Sequence, residues 1–496
     1  MTPRRALAIG IDLGTSSLKA VAVDETGRCV ARARAGYPTA QPETGAAEQD
    51  PADWRTACDA AVGRLATETD PASWQAVGLS GMLPTLVSLD GDGLPVGPAI
   101  TWKDGRAEPE GGQIAERIGA AVLYERTGQR FDGRYLLAMH ARRVGLGLPA
   151  NMMVAGAKDY LFEALTGHLL TDPSTASGYG AYDLHTESWD PSILSAASVS
   201  AVPEVAAARD SRPLTAHVAG RWGCPAGLPV VLGAADSVLG AYGLGVRGPG
   251  EVAYIAGTSN VILGWSSSPR VDSEGRYLVT PMATDGYGLE MDLLATGSAI
   301  EWLAELLAVG GGPAALAELA ATAPLESAPL VLPYLSPGEQ GALWDPRLTG
   351  AIEGLTLRTS RAELARGLMA GIVLESRRCV DVLAEASGAR GTILMSGSGA
   401  ASPTFRQDLA DATGRTVSFD PHEHDHSAVG AALFAGRAGL HWPEVAPEPE
   451  RPPEIFEPDP TRAAAWAERF TRHDGACRSQ AARHGEIDSP SEGRSS

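Results

Sequence analysis

An α/β chain built as two like domains around one cleft is predicted from three observations. The stretch Ile9-Gly10-Ile11-Asp12-Leu13-Gly14-Thr15-Ser16-Ser17 is echoed past the midpoint by Ala253-Tyr254-Ile255-Ala256-Gly257-Thr258-Ser259-Asn260. Each is an apolar, strand-like run that breaks at Gly-Thr-Ser and resumes as another apolar run, Leu18 to Val23 and Val261 to Leu263. The two copies lie half a chain apart in 496 residues, a length too great for one core. Strand patterns then alternate with helical ones as far as about residue 240, as in α/β proteins. Two such turns facing each other across a cleft suit a phosphate chain, because glycine admits close approach and backbone N–H and hydroxyl groups donate to phosphate oxygens.

Residues 6–35 read as an antiparallel meander: a strand, the Gly14 turn, a second strand, the turn Asp24-Glu25-Thr26-Gly27, and a third strand. Trp54, Ala57, Ala61 and Leu65 fall at helical spacing after the opener Asp50-Pro51, which predicts a helix over 51–68. Ala76 to Leu79 and Leu83 to Leu89 are short buried strands, followed by the turn Asp90-Gly91-Asp92-Gly93. Val230 to Asp236 is an apolar strand ending on an acid, and the glycines from Gly240 to Gly250 mark a domain boundary. The division expected is 1–243, 244–440 and a tail, 441–496. Ser360-Arg361-Ala362-Glu363 is a capping box opening a helix over about 361–387, with Gly388 as its stop. A strand from Thr392 to Met395 meets the loop Ser396 to Ser402, and a helix follows from Phe405 to Thr413. The tail is rich in Pro and Glu, then in Ser, Gly and Arg, and reads as partly disordered with one short helix near 461–472.

Sixty acids against forty bases give a formal charge of −20. Such a surface repels nucleic acid and anionic membranes, so neither is an expected partner. An anionic ligand here needs local help from backbone amides, a cation or a metal. The five cysteines are scattered without C-x-x-C spacing, which indicates neither a zinc site nor a disulfide framework. The apolar run before Asp12 is too short for a signal segment and no later stretch reaches membrane-spanning length, so a cytoplasmic protein is expected.

Asp12 precedes Gly14-Thr15-Ser16. An acid beside a phosphate-cradling turn makes sense when Mg²⁺ lies between them. Lys19 is placed to balance phosphate charge. Asp236 ends its strand where α/β sheets bind ligands. It suits a base for an attacking hydroxyl, and equally a helix N-cap. Gly397 and Gly399 in the Ser396–Ser402 loop admit a flat ligand, although neither a Rossmann fingerprint nor the pattern G-x-x-x-x-G-K-[ST] is present. His422, His424 and His426 alternate with acids; a solvated turn is preferred here to a metal cluster.

These motifs, in this order, resemble the FGGY carbohydrate kinases of the actin-like ATPase superfamily, in their xylulokinase-like branch. Ile11 to Lys19 looks like the first phosphate loop of that family and Gly257-Thr258-Ser259 like the second. Gly78-Leu79-Ser80-Gly81 and Pro98 to Arg106 look like its sugar-site strands. Lys158-Asp159-Tyr160-Leu161, with Leu165-Thr166-Gly167, looks like its N-domain signature. Gly233-Ala234-Ala235-Asp236 looks like its base-bearing segment, and Gly397-Ser398-Gly399-Ala400 like its adenosine signature. The resemblance implies two actin-like (ribonuclease H-like) domains with an active-site cleft between them, closing on a small sugar or polyol and Mg-ATP. It implies Asp236 as general base and Asp12 as the Mg²⁺ residue. Gly14, Thr15, Ser16, Lys19, Gly257 and Thr258 would meet the phosphates, and Gly397, Gly399 and Ala400 the adenosine. Met82, Leu83, Trp102, Asp104, Asp236 and Ser237 would meet the sugar. Family members are often dimers, so a homodimer is a further expectation.

The chain departs from the family where the sugar binds. Xylulokinases usually show Gln-Met-His-Gly where this chain has Met82-Leu83-Pro84-Thr85, so a hydrogen-bonding wall has become apolar. The usual Asn before the Trp-x-Asp acid is Lys103. A Gly-Glu-Arg and an Arg-Gly near the interface read as Gly338-Glu339-Gln340 and Thr349-Gly350. The expected reaction is phosphorylation of a primary hydroxyl, with a ketopentose such as D-xylulose the leading substrate. Ribulose, erythritol and gluconate are alternatives. The rival from another class is a non-catalytic ATP-binding regulator on the same fold.

Overall fold

The computed structural model describes residues 5–336, 341–345, 347–421, 425–443 and 452–487, with side chains to residue 482. The N-terminal meander is formed by Leu7–Leu13, Ser17–Asp24 and Cys29–Gly36. Its first strand is buried on both faces, as its unbroken apolar run requires. It pairs antiparallel with the second strand and parallel with Trp74–Gly81, which in turn pairs parallel with Pro229–Ala235. A parallel neighbour needs a crossover, and the helix Pro51–Glu68 lies in the first of them. Asp50 caps that helix by accepting from the Ala52 N–H, Pro51 opens it, and Trp54, Ala57, Ala61 and Leu65 are buried along one face.

The second half repeats the plan. Val252–Ala256 pairs antiparallel with Asn260–Ser266 and parallel with Ile393–Ser396. The long helix Arg361–Ser387 lies in that crossover. Ser360 and Glu363 close its capping box, and Gly388 ends it at φ 75°. The fold is thus mixed α/β with two main sheets, one of six strands and one of seven, and four smaller ones among the described residues.

Two helices join the halves. The linking helix Asp236–Leu244 leaves the first sheet, and the returning helix His426–Leu440 of the second half packs back on strands of the first. Both approaches depend on glycine. A Cβ on Gly430 would stand 2.0 Å from the Leu239 carbonyl oxygen, and one on Gly243 2.1 Å from that of His426. On the sheet side, a Cβ on Gly10 or Gly78 would stand just as close to the Ala428 or Ala431 carbonyl oxygen, at 1.9 and 2.1 Å.

The expected loose tail is corrected by what packs there. Glu454–Phe456 adds a strand antiparallel to Val417–Phe419. The helix Ala463–Ile487 runs 25 residues, beyond the short helix expected. Trp466, Phe470, His473 and Cys477 recur at helical spacing on its inner side, with Trp466 fully buried in the C-terminal core. Polar composition hid that stripe. His422 and His424 lie outside the described residues, while half-buried His426 opens the returning helix. No described helix is long and apolar enough to cross a membrane, and all five cysteines are free thiols.

The tail helix is fastened by a buried ionic cluster. His473 Nε2 lies 2.6 Å from Glu375 Oε1, and Arg378 reaches both Glu375 and Asp474. Burial pushes the Glu375 carboxyl up, but Arg378 and His473 outweigh it and hold it below its ordinary 4.5. A depressed acid stabilises the fold above its unfolded pKa and loses that contribution as pH falls through the folded one. Thermal melts should therefore show the wild type losing stability steeply below about pH 4.5. Glu375→Gln should be less stable at pH 7 and flatter in acid; parallel curves would deny the cluster this role.

Candidate active site

The first Gly-Thr-Ser turn closes a hairpin in which the Gly14 N–H donates to the Ser17 carbonyl at 3.2 Å. Gln49 Nε2 donates to the Thr15 carbonyl at 2.7 Å, and Trp102 Nε1 donates to Thr15 Oγ1 at 3.0 Å. Ser16 is exposed at the tip and Lys19 half-buried behind it. In the second turn the Gly257 N–H donates to the Ser259 carbonyl at 2.9 Å, while the Thr258 carbonyl accepts from the Ser298 N–H at 3.1 Å. This turn separates two cavities. Gly257 and Thr258 line a cleft of about 610 Å³ with Ser298, Ser398, Gly399 and Ser402. Ser259 lines a smaller cavity of about 290 Å³. Gly397 stands behind the cleft wall at φ 100°, where a Cβ would meet the Ala256 carbonyl at 2.0 Å, and Ala400 is fully buried in the core.

Two acids from the first half converge on these turns. Asp12 is 3% exposed; its Oδ1 accepts from Ser80 Oγ at 2.9 Å and its Oδ2 lies 3.6 Å from Lys19 Nζ. Asp236 is the first residue of the linking helix. Ala235 holds the N-cap position, so the cap reading of Asp236 does not describe its place. The strand before it is pinned from the side: Lys158 Nζ, fully buried and 3.0 Å from Asp172, donates to the Leu232 carbonyl, and the Ala235 N–H donates to Ser174 Oγ. Burial pushes the Asp236 carboxyl up to about 7, and the negative Asp12 adds to this against the Ser237 N–H and Lys19. Two buried, neighbouring acids served by one lysine fit a divalent cation, whose charge would offset both the burial and the Asp12 repulsion that hold Asp236 up.

The smaller cavity lies between the halves. From the first come Thr15, Leu83, Pro84, Trp102, Gln129 and Arg134; from the second come Val261, Thr280, Glu290, Asp292 and Trp344; Asp236 and Ser237 lie between. Leu83 is thus on the wall, whereas Met82 is 2% exposed within the N-terminal core. Asp104 is also buried, and both its oxygens are taken by Arg106 and the Ala47 N–H. Lys103 stands 5.4 Å from the Trp102 ring centroid. Gly338 to Gln340 lie outside the described residues, and the Thr349 N–H donates to Gln480 Oε1 of the tail helix at 2.9 Å.

Sequence reasoning missed Gln129, Arg134, Glu290, Asp292 and Trp344. Gln129 donates to the Val279 carbonyl at 2.8 Å and accepts from the Tyr135 hydroxyl. Glu290 Oε2 accepts from Ser237 Oγ at 2.9 Å, beside the base candidate. Burial holds both the Glu290 and Asp292 carboxyls up; Asp292 and Asp236 add to the effect on Glu290, and Arg134 opposes it on Asp292. The available signal was the alternation Leu289-Glu290-Met291-Asp292-Leu293, which puts the apolar residues in the core and both acids on the opposite face.

Residues 7–243 match the N-terminal domain model of the FGGY family of carbohydrate kinases and residues 252–439 the C-terminal domain model. The chain is 30% identical over 469 residues to a xylulose kinase of Klebsiella pneumoniae, covering 92% of this chain and 96% of that one. It is 27% identical over 448 residues to a gluconokinase of Bacillus subtilis (strain 168), covering 86% of each. The crystal structure of gluconate kinase from Lactobacillus acidophilus superposes with a TM-score of 0.89 at 25% identity, covering 98% of this chain and 100% of that one. With both family domains matched over most of its length, the chain belongs to the FGGY family of carbohydrate kinases.

Proposed function

We propose that the protein transfers the γ-phosphoryl group of ATP to a primary hydroxyl of a small sugar or polyol, with a ketopentose such as D-xylulose the leading substrate. The observation that carries this reading is Asp236. It lines the small cavity, and the second Gly-Thr-Ser turn stands between that cavity and the larger cleft. The nucleotide lies in the larger cleft with its phosphates at Thr15, Ser16, Lys19 and Thr258, and the acceptor lies in the smaller cavity. The hydroxyl oxygen attacks the γ-phosphorus in line, its proton passes to Asp236 Oδ, and the bond from the γ-phosphorus to the bridging oxygen breaks to leave ADP. Mg²⁺, held through Asp12, neutralises phosphate charge when bound. Trp102 fixes the Thr15 hydroxyl, and the apolar Leu83–Pro84 wall excludes water from the acceptor side.

The test is ADP release with a panel of ketoses and polyols. Release that depends on one of them supports the reading, and release that no compound stimulates overturns it. A base held up to about 7 must lose its proton before it works. Activity should accordingly fall as pH drops through that value, so log kcat/KM is expected to rise with unit slope below about pH 7 and level off above it. A flat profile from pH 5 to 8 would remove Asp236 from that role.

A further inference from the structure

Among the described residues, three acids line the small cavity: Asp236, Glu290 and Asp292. Among the described lining residues the guanidinium is that of Arg134, which already makes hydrogen bonds to both oxygens of Asp132. The proposed reaction uses Asp236 alone. Glu290 and Asp292 are two apart on the strand Tyr287–Leu293, so they project to the same side, roughly 7 Å apart. Ser237 fastens Glu290 next to the base candidate. Asp292 stands further along, and its buried Oδ1 accepts no hydrogen bond among the described residues. A buried acceptor left without a donor is costly, and a cavity provides the place for one.

The geometry points to Glu290 and Asp292 as specificity-determining residues, an acidic rail that accepts hydrogen bonds from the hydroxyls of an uncharged sugar or polyol and rejects acceptors bearing a carboxylate. This rests on the kinase reading of the same cavity. A carboxyl group keeps an oxygen that accepts hydrogen bonds whether or not it holds a proton, and a polyol offers a hydroxyl donor at each carbon along the rail. An aldonate would bring a carboxylate into a cavity where burial and neighbouring acids already oppose negative charge on Asp236 and Glu290, and whose guanidinium is already engaged. Like charges there disfavour ionisation and binding together. The side chains of Leu83 and Pro84 themselves offer an aldonate carboxylate no donor.

The experiment is calorimetric titration of the full chain, with ADP and Mg²⁺ present, by D-xylulose, D-ribulose, erythritol and D-gluconate, followed by turnover with ATP. At least one uncharged compound should bind, and gluconate should bind about 10-fold or more weakly, a gap of about 1.4 kcal/mol. In Glu290→Gln/Asp292→Asn that gap should close to within about three-fold, mainly by gain for gluconate. Equal or tighter binding of gluconate by the wild type would overturn the inference. So would an unchanged gap in a double variant that still binds ADP normally, or failure of every uncharged compound to bind. The wild-type comparison stands even if the variant does not fold. Selective binding without any ADP release would retain the rail and overturn the kinase reading instead.

Discussion

Asp236→Asn is expected to lower kcat by about 10²-fold or more, the scale of general-base catalysis, while leaving ATP affinity within a few-fold of wild type. Asn matches the shape of the carboxylate and keeps an acceptor for the Ser237 N–H, which donates to Asp236 Oδ1 at 2.9 Å. It cannot take a proton at neutral pH. The nucleotide cleft is lined by other residues, so binding there is spared. A second readout separates this from general damage. Asp236 is held up from 3.8 to about 7, which means the folded state holds its proton more tightly than the unfolded chain. The contribution of Asp236 is then lost as pH rises from about 4 to about 7, and the amide, which does not ionise, has no such loss. The variant should melt above the wild type at pH 8, with the difference shrinking toward pH 4. Near-normal turnover would sink the assignment. Lost turnover with a lowered melting temperature at pH 8 would mean that the side chain holds structure instead.

The second large effect is one of sign. Replacing an interior helical glycine by alanine ordinarily stabilises a helix by up to about 1 kcal/mol. At Gly475, in the tail helix, nothing lies within 4 Å of the new methyl group, and Gly475→Ala should follow that rule. At Gly430 the methyl would stand 2.0 Å from the Leu239 carbonyl oxygen, an atom of another helix's backbone that cannot rotate away. The helices must part by more than an ångström, and overpacking of this kind costs about 1–3 kcal/mol or more. Gly430→Ala should therefore lower the melting temperature by several degrees. Activity should fall with it, since the linking helix it displaces begins at Asp236. Equal and positive shifts at both glycines would show that the crossing yields.

What was legible in the sequence was local. The capping box at Ser360 and the stop at Gly388 bound a helix whose signals all lie within it. The meander at 6–35 declares itself through turns of a few residues. The repeated Gly-Thr-Ser turn disclosed the doubling because each copy is read on its own. What was hidden depends on the partner surface. Glu290 and Asp292 have the pattern of a strand with one wet face, and only the opposing half turns that face into a cavity. Asp104 reads as an acid presented to a sugar until Arg106, two residues on, is seen to take its oxygens. The tail reads as loose because polar residues outnumber the stripe from Trp466 to Cys477.

The returning helix has a bearing on how the protein is made. Residues 1–243 emerge first from the ribosome, yet the sheet they form keeps Gly10 and Gly78 bare until His426–Leu440 arrives to lie on them. The half synthesised first is thus completed only late in synthesis. The nascent chain must carry an uncovered glycine-and-alanine face through nearly two hundred further residues of translation, and a truncation before the returning helix would leave both domains unfinished.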